Sequence, residues 1–500
     1  MSFKEILKEY DFVSDKEEFW NHLISPKPTY FRINLIKADT ETVINCLTRY
    51  PDLEIEKIKL NDNQDYFVVK KGSLTKKPEH LFGYLYVQDI SSGLVVTSFN
   101  NTRKPALIVD MCASPGGKTT LLATMFPNSI VIANDIGHDR IKALVHNIQR
   151  MGTLNVIVTQ CNAAFFPKII NKQIDFILAD VPCSAESNLN DYQNYNVQKH
   201  YSFVNHIKDV QYKLLSRALQ IANQNTEIVY STCTFNPLEN EYIINSILEQ
   251  NLAQIIPITT PNLHNIKPGI VEYKQFKFSQ DLQKTIRVYP YNMTGMFIAK
   301  LNLTNNSEPG INKHPINSEV ELVPIDQGVT FQGKNIKIID YSMVYEHLSS
   351  YGIPESIIKN LVWFYKCKQE NEITDIYVTS LKEIIVKKKG PLTVEYFGLK
   401  ALRYFKPLKI YKPTSTFLSV MNRYINQNYV ELDFNIDLLK KFISRQEIDR
   451  QFFREVNIKS NQPFIAVKFN SIVIGCGSIK NNKIQSEIPS SKANFINNIL

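Results

Sequence analysis

Cysteine is scarce in this chain: seven in 500 residues, an odd number. That argues against the disulfide framework that staples small secreted domains. No two cysteines show C-x-x-C spacing and the nine histidines form no tight cluster, so no metal site is expected. Long apolar runs are missing too. Nothing approaches the ~18 residues of a membrane-spanning helix, so no membrane partner is expected. The opening "MSFKEILKEYDFVSDKEEFW" carries charges of both signs and lacks the apolar core of a signal peptide. These absences point to a reducing, cytoplasmic location. No internal repeat is present, and nothing calls for more than a monomer.

What is there is ordinary globular material, 44% hydrophobic and 21% charged, long enough for two or three domains. A net charge of +9 permits a polyanionic partner such as nucleic acid without demanding one. From about residue 105, short apolar runs alternate with longer amphipathic ones. "ALIVDM" (106–111), "IVIAND" (130–135), "NVIVT", "IDFILAD" and "TEIVYS" read as strands, separated by helix-like "KTTLLATMF", "HDRIKALVHNIQRM" and "VNHIKDVQYKLLSRALQIAN". That alternation predicts an α/β fold with a parallel sheet covered on both faces, whose ligands gather at the carboxyl ends of the strands. Asp110, Asp135, Asp180 and Cys233 fall at or beside those ends. "TIRVYPYNMTGMFIAKL" (285–301) reads as two closing strands, and the polar "NLTNNSEPGINKHPIN" (302–317) as a linker. The expected division is an N-terminal module over 1–100, a core over 101–303 and a C-terminal region over 317–500.

Two thiols stand where apolar runs break into turn chemistry, in "ILADVPCSAES" (177–187) and "YSTCTFNPLENE" (230–241). The loop "DMCASPGGKTT" contains Gly117, Lys118 and Thr119 of a phosphate-binding G-x-x-x-x-G-K-[ST] motif, but Cys112 stands where its first glycine belongs. A nucleoside triphosphatase is thereby disfavoured. The other reading is a small-residue turn against a nucleoside cofactor, with Asp135 placed to accept from ribose hydroxyls.

Taken together, "DMCASPGGKTT", "ANDIGHDR", "ADVPCS" and "YSTCTFNPLENE" resemble, in order and spacing over roughly 100 to 301, the Sun-type (NOL/NOP/Sun) RNA cytosine-C5 methyltransferases. "FRINLIK" (31–37) and "GYLYVQDISSGL" (83–94) resemble that family's RNA-docking segment and the approach to its catalytic domain. "FIAVKFNSIVIGCGSIKNNKIQSEIPSS" looks like the PUA-like RNA-binding tail of some members. The resemblance implies a class I (Rossmann-like) methyltransferase core, with S-adenosylmethionine as cofactor and rRNA or tRNA as partner. It implies Cys233 as the nucleophile that adds to C6 of cytosine and Cys183 as the helper in product release. Asp180 would sit at the base and Lys118 between base and cofactor. Cofactor contacts carry over to Cys112, Ala113, Ser114, Pro115, Gly116, Gly117, Lys118, Asp135, Arg140, Asn162 and Asp180. Three positions depart from the pattern: Asn162 replaces an aspartate, Ala185 a glycine and Tyr291 a histidine.

Glu239 and Glu241 follow Pro237 at an expected helix start, so helix-terminal charge is their default role. The remaining cysteines, Cys46, Cys161, Cys367 and Cys476, are expected in the core. For RNA, Arg32 is a candidate, as are Arg403, Tyr404, Lys406 and Lys409 in "LRYFKPLKIYK" (402–412), where cations alternate with aromatics. The same pattern also fits a strand or helix with one core-facing aromatic row and one solvated basic row. "VKKKG" (386–390) reads as a solvated turn, and "NLNDYQNYNVQKHYSF" (188–203) as a loop able to fold over RNA. The rival from another class is a non-catalytic RNA-binding assembly factor that keeps the fold. Intact Cys183 and Cys233 argue against it.

Overall fold

A computed structural model describes every residue except 1–2, 62–63, 101, 190–191, 194, 261–264, 305–317, 368–372, 461 and 500. The linker expected over 302–317 thus lies largely outside the described residues. At the centre are five parallel strands: β1 (Leu107–Asp110), β2 (Ile130–Asp135), β3 (Val156–Gln160), β4 (Phe176–Asp180) and β5 (Glu227–Thr232). Their order is β3-β2-β1-β4-β5. Nearly every residue in them is buried, as the unbroken apolar runs require when helices cover both faces. Next come β6 (Ile286–Val288) and β7 (Met296–Leu303); β7 runs antiparallel to β5, and β6 antiparallel to β7. The helices α1 (Gly117–Met125), α2 (His138–Met151), α3 (Val197–Ile221) and α4 (Glu241–Leu248) follow β1, β2, β4 and β5. The chain reverses direction across the sheet between β1 and β4, and that switch opens a crevice between their carboxyl ends.

Before the core, four antiparallel strands form a separate sheet, with Thr29–Ile33 between Gln64–Lys71 and Leu85–Val87. The first two dozen residues do not join it. Phe3, Tyr10, Phe19 and Trp20 pack into the same apolar cluster as Phe235 and Tyr289 of the core. The C-terminal region holds two six-stranded sheets and ends in helix α5 (Ser490–Asn497). It is also laced into the core. Strand Thr393–Tyr396 adds to the free edge of β3, with Thr393 opposite Gln160, and Lys168–Ile169 pairs with Glu319–Pro324.

Two local expectations are corrected. Residues 188–203 are not all loop, because α3 begins at Val197, capped by Asn196 accepting from the Lys199 N–H. "VKKKG" is not a turn up to Gly390: Glu383–Lys389 is a strand paired with Glu319–Pro324, which absorbs the backbone groups a turn would leave to water.

Candidate active site

The loop from Met111 to Gly116 joins β1 to α1 at the switch point. Gly116 caps α1 at φ +104°, and a Cβ there would stand 2.9 Å from Leu144 Cδ1 of α2. Only glycine takes that backbone without strain, and its bareness lets α2 close over the loop. Asp135, at the end of β2, is buried and fixes the loop from the far side. One of its oxygens accepts from Ser114 N (3.1 Å) and the other from Gly137 N (3.2 Å), while Arg140 spans both at 2.9 and 3.1 Å. Asn162 is exposed and commits its carbonyl to Ala164 N at 3.0 Å, leaving the amide as its outward donor. Cys112 is half-buried, and burial pushes its thiol well above the ordinary range.

Asp110 is fully buried at the end of β1. One carboxylate oxygen accepts from Thr119 Oγ1 at 2.7 Å, and the other has no partner among the described residues. Burial raises its pKa to about 7. An orphaned buried acceptor, a glycine cradle and three aspartates (Asp110, Asp135, Asp180) against two cations (Lys118, Arg140) suit a nucleoside ligand that carries positive charge. The residues present therefore fit S-adenosylmethionine.

The two thiols meet across the crevice. Cys183 Sγ lies 3.4 Å from Cys233 Sγ, and both cysteines are free. The hydrogen bond from Cys183, helped by the Lys118 cation, holds the Cys233 thiol below the ordinary range against burial and the Asp180 charge. The same hydrogen bond, together with burial, pushes Cys183 well above it. Of the two, Cys233 is the sulfur that gives up its proton more readily and Cys183 the one that keeps it. Beside them Lys118 Nζ pairs with Asp180 at 2.7 Å, and Asp180 also accepts from Ser231 Oγ at 2.7 Å. Burial opposes the Lys118 charge, but Asp180 keeps its pKa above the ordinary lysine value.

What holds the thiol loops is a buried network. Glu239 is fully buried rather than a helix-terminal charge. It accepts from Ser184 N (2.9 Å), Ser184 Oγ (2.5 Å) and Gln211 Nε2 (2.9 Å), so it grips the turn that carries Cys183. Burial, with Glu186 nearby, raises its pKa to about 7. Glu186, also fully buried, returns the contact by accepting from Phe235 N at 2.9 Å, just past Cys233, and from Tyr10 of the N-terminal segment at 2.6 Å. Ser187 Oγ donates to the Cys233 carbonyl at 2.7 Å. Glu241 forms a buried bidentate pair with Arg287 of β6, whose third nitrogen donates to the Phe235 carbonyl at 2.8 Å. Ala185 sits at φ +53°, so the residue that replaces the usual glycine occupies a left-handed backbone.

Sequence reasoning missed Glu186, Gln211, Ser187 and Arg287, and it misread Glu239; Glu241 does open α4 as expected, while also pairing with Arg287. The available signal was two acidic residues three places after Cys183 and six after Cys233. Arg32 is corrected. It is fully buried and donates to Gln88 (2.7 Å), Thr120 Oγ1 (2.8 Å) and the Gly117 carbonyl (3.2 Å), so its guanidinium braces α1 and reaches no surface. The 402–412 stretch is a hairpin of Leu399–Phe405 and Ile410–Pro413 in the C-terminal region. Lys406 and Lys409 are exposed at its tip, Arg403 pairs with Asp375 at 3.1 Å, and Tyr404 stands opposite Tyr411. None of these four bonds to either loop of the crevice. Among the described residues no group of three or more His, Cys, Asp or Glu could hold a metal ion, and no helix is long and apolar enough to cross a membrane.

The description "16S rRNA methyltransferase RsmB/F" belongs to the family whose profile matches residues 98–302. The tRNA (cytosine(49)-C(5))-methyltransferase of Pyrococcus abyssi is 30% identical over 307 residues, which cover 60% of this chain and 95% of that one. The 28S rRNA (cytosine(4447)-C(5))-methyltransferase of Homo sapiens is 29% identical, over 59% of this chain but only 37% of the human protein. Among solved structures, PH0851 shares the fold at 24% identity and a TM-score of 0.50, over 60% of this chain and 65% of that one. With the archaeal relative matched over nearly its whole length and the motif loops meeting in one crevice, the chain belongs to the Sun-type (RsmB/F) family of RNA cytosine-C5 methyltransferases.

Proposed function

We propose that this protein methylates C5 of a cytosine in rRNA or tRNA through a covalent bond between Cys233 and C6 of the base. The observation that carries the reading is the pair of free thiols 3.4 Å apart beside the Lys118–Asp180 pair. C5 of cytosine is a weak nucleophile. Addition of the Cys233 thiolate to C6 breaks the ring's aromatic character and makes C5 enamine-like. S-adenosylmethionine, when bound, supplies the electrophilic methyl group. Asp110 and the Met111–Gly116 loop would hold it, and Asp135 would accept from its ribose where the exposed Arg140 side chain yields. Asp180 meets the base edge and Lys118 offsets the charge that builds on the ring. A water or side-chain base then takes the C5 proton, the electron pair left behind re-forms the C5=C6 bond as the C6–S bond breaks, and Cys183, the less acidic thiol, donates to the departing Cys233 sulfur. The target must be unstacked to enter, which favours single-stranded or locally opened RNA.

The 1–100 segment is read as a docking module, 101–303 as the catalytic core and 317–500 as a PUA-like RNA-binding region, in a cytoplasmic monomer. Lys406 and Lys409 at the hairpin tip, with Arg403 and Tyr404 behind them, remain the proposed RNA contacts outside the crevice. Wild type, Cys183→Ala and Cys233→Ala, each incubated with unmodified total RNA and S-adenosylmethionine, are compared on a denaturing gel. The expected result is a nuclease-sensitive shifted band for Cys183→Ala alone. A band for Cys233→Ala instead reverses the two roles. No band and no methyl transfer by wild type overturns the reading.

A further inference from the structure

A cavity of about 310 Å³ lies where α2 of the core meets α5 of the C-terminal region. Its walls include His146, Gln149 and Arg150 on α2, Lys492 and Phe495 on α5, and Thr416. No motif reaches it. Its charges are one-sided: among the described residues neither Arg150 nor Lys492 has a carboxylate partner. Arg150 donates to the His80 carbonyl at 2.8 Å and to Asn147 Oδ1 at 3.2 Å and stacks on Tyr86 at 5.2 Å, whereas Lys492 donates to Thr416 Oγ1 at 3.4 Å and lies 5.7 Å from the Phe82 ring centre. Burial and the nearby Arg150 push the Lys492 pKa down to about 8. An unneutralised pair of half-sheltered cations is unfavourable until an anion joins it. The first turn of α5 adds to the same field. Its N-cap position, Pro489, offers no side-chain cap, and Ser491 and Lys492 of that turn line the cavity. The lining also includes aromatic rings. Phe495 is 50% exposed, and its ring lies 5.1 Å from that of His146.

We infer that this cavity seats one nucleotide of the substrate RNA, its phosphate on Lys492 and Arg150 and its base against Phe495. Cations beside an exposed aromatic face are the chemistry that holds unpaired nucleotides. The place suits a substrate strand. Arg150 is ten residues along α2 from Arg140, a rise of about 15 Å. On the same helix Asn147 donates to the Pro115 carbonyl of the cofactor loop at 3.0 Å. On this inference a substrate strand held in the crevice continues along α2 to the cavity.

The inference rests on the RNA-methyltransferase reading, and its test separates the two. Full-length wild type, Lys492→Gln and Phe495→Ser are titrated with a fluorescent 30-nucleotide single-stranded RNA of mixed sequence at several salt concentrations. The same three proteins are assayed for methyl transfer to total RNA and for binding of AMP. Lys492→Gln should weaken RNA binding three- to tenfold and flatten the slope of log K against log salt by about 0.7, the value for one lost phosphate contact on a single strand. Phe495→Ser should weaken binding with the slope unchanged. Both variants should keep wild-type affinity for S-adenosylmethionine. Wild-type affinity and slope in both variants, while wild type methylates RNA, overturn the seat alone. Saturable AMP binding lost in Lys492→Gln, with RNA binding unchanged, reassigns the cavity to a free nucleotide and overturns the RNA assignment. Wild type that neither binds nor methylates RNA overturns the seat together with the function.

Discussion

The two sides of the crevice are held in different ways. On the cofactor side, the Met111–Gly116 loop is shaped by backbone: a glycine at φ +104°, main-chain N–H groups on Asp135, and one half-exposed ion pair to Arg140. On the thiol side, the turns at 183–187 and 233–241 are shaped by side chains. Glu186, Glu239 and Glu241 are fully buried there and gripped by partners tens of residues away. The difference follows from what each side must do. A cofactor loop needs a concave main chain that binds and releases a small molecule. The thiol turns must keep two sulfurs at a fixed separation while one of them forms and breaks a bond to the base, and buried charged hydrogen bonds resist such displacement better than exposed ones.

The largest expected break in that contrast is Arg287→Met. It leaves Glu241 buried without its cation and frees the Phe235 carbonyl, so unfolding stability should fall by about 3–5 kcal/mol. Chemical denaturation measures the loss, and calorimetry on the remaining folded protein should return an S-adenosylmethionine affinity within about twofold of wild type. Loss of cofactor affinity in step with stability would mean that the two sides are not separately held.

A smaller effect is expected from Lys118→Gln, because Lys118 touches both sides. Lys118 is one of the groups that lower the Cys233 pKa, so its removal raises that pKa and leaves less thiolate at neutral pH. The acid limb of the kcat/KM profile should then move to higher pH, with roughly a tenfold loss at pH 7 that recovers in alkaline buffer. A loss equal at every pH would place the role of Lys118 in binding alone. The smallest effect is Ala185→Gly. Relief of the left-handed backbone at +53° should raise stability by about 1 kcal/mol, visible as a higher denaturation midpoint. An unchanged or lower midpoint would show that the surrounding hydrogen bonds, not the backbone conformation, set the energy of that turn.

The cofactor side was the more legible from sequence for the same reason that it differs. Small residues between a strand and a helix announce a tight turn, and Asp135 declares itself at the end of an apolar run. Glu239 carries no such mark. In the sequence it follows a proline and reads as helix-terminal charge, and only the packing of α3 against the Cys183 turn brings Gln211 and Ser184 to it. Arg32 failed in the opposite direction. An arginine in a docking segment suggests a surface, but the Arg32 side chain is turned onto α1, and Gln88 and Thr120 take its donors.

By itself the sequence determined the α/β alternation, the strand ends that carry Asp110, Asp135, Asp180 and Cys233, and the turn chemistry around both thiols. These are local properties, set by hydrophobic period and by residues within a turn of one another. Tertiary structure decided the rest: the 3.4 Å between Cys183 and Cys233, which of them is lowered, the capture of Thr393–Tyr396 by β3, and the cavity between α2 and α5. Each of those depends on groups far apart in the chain. A side chain's charge state and free valences are fixed by the neighbours folding brings to it, and no local pattern records which neighbours those will be.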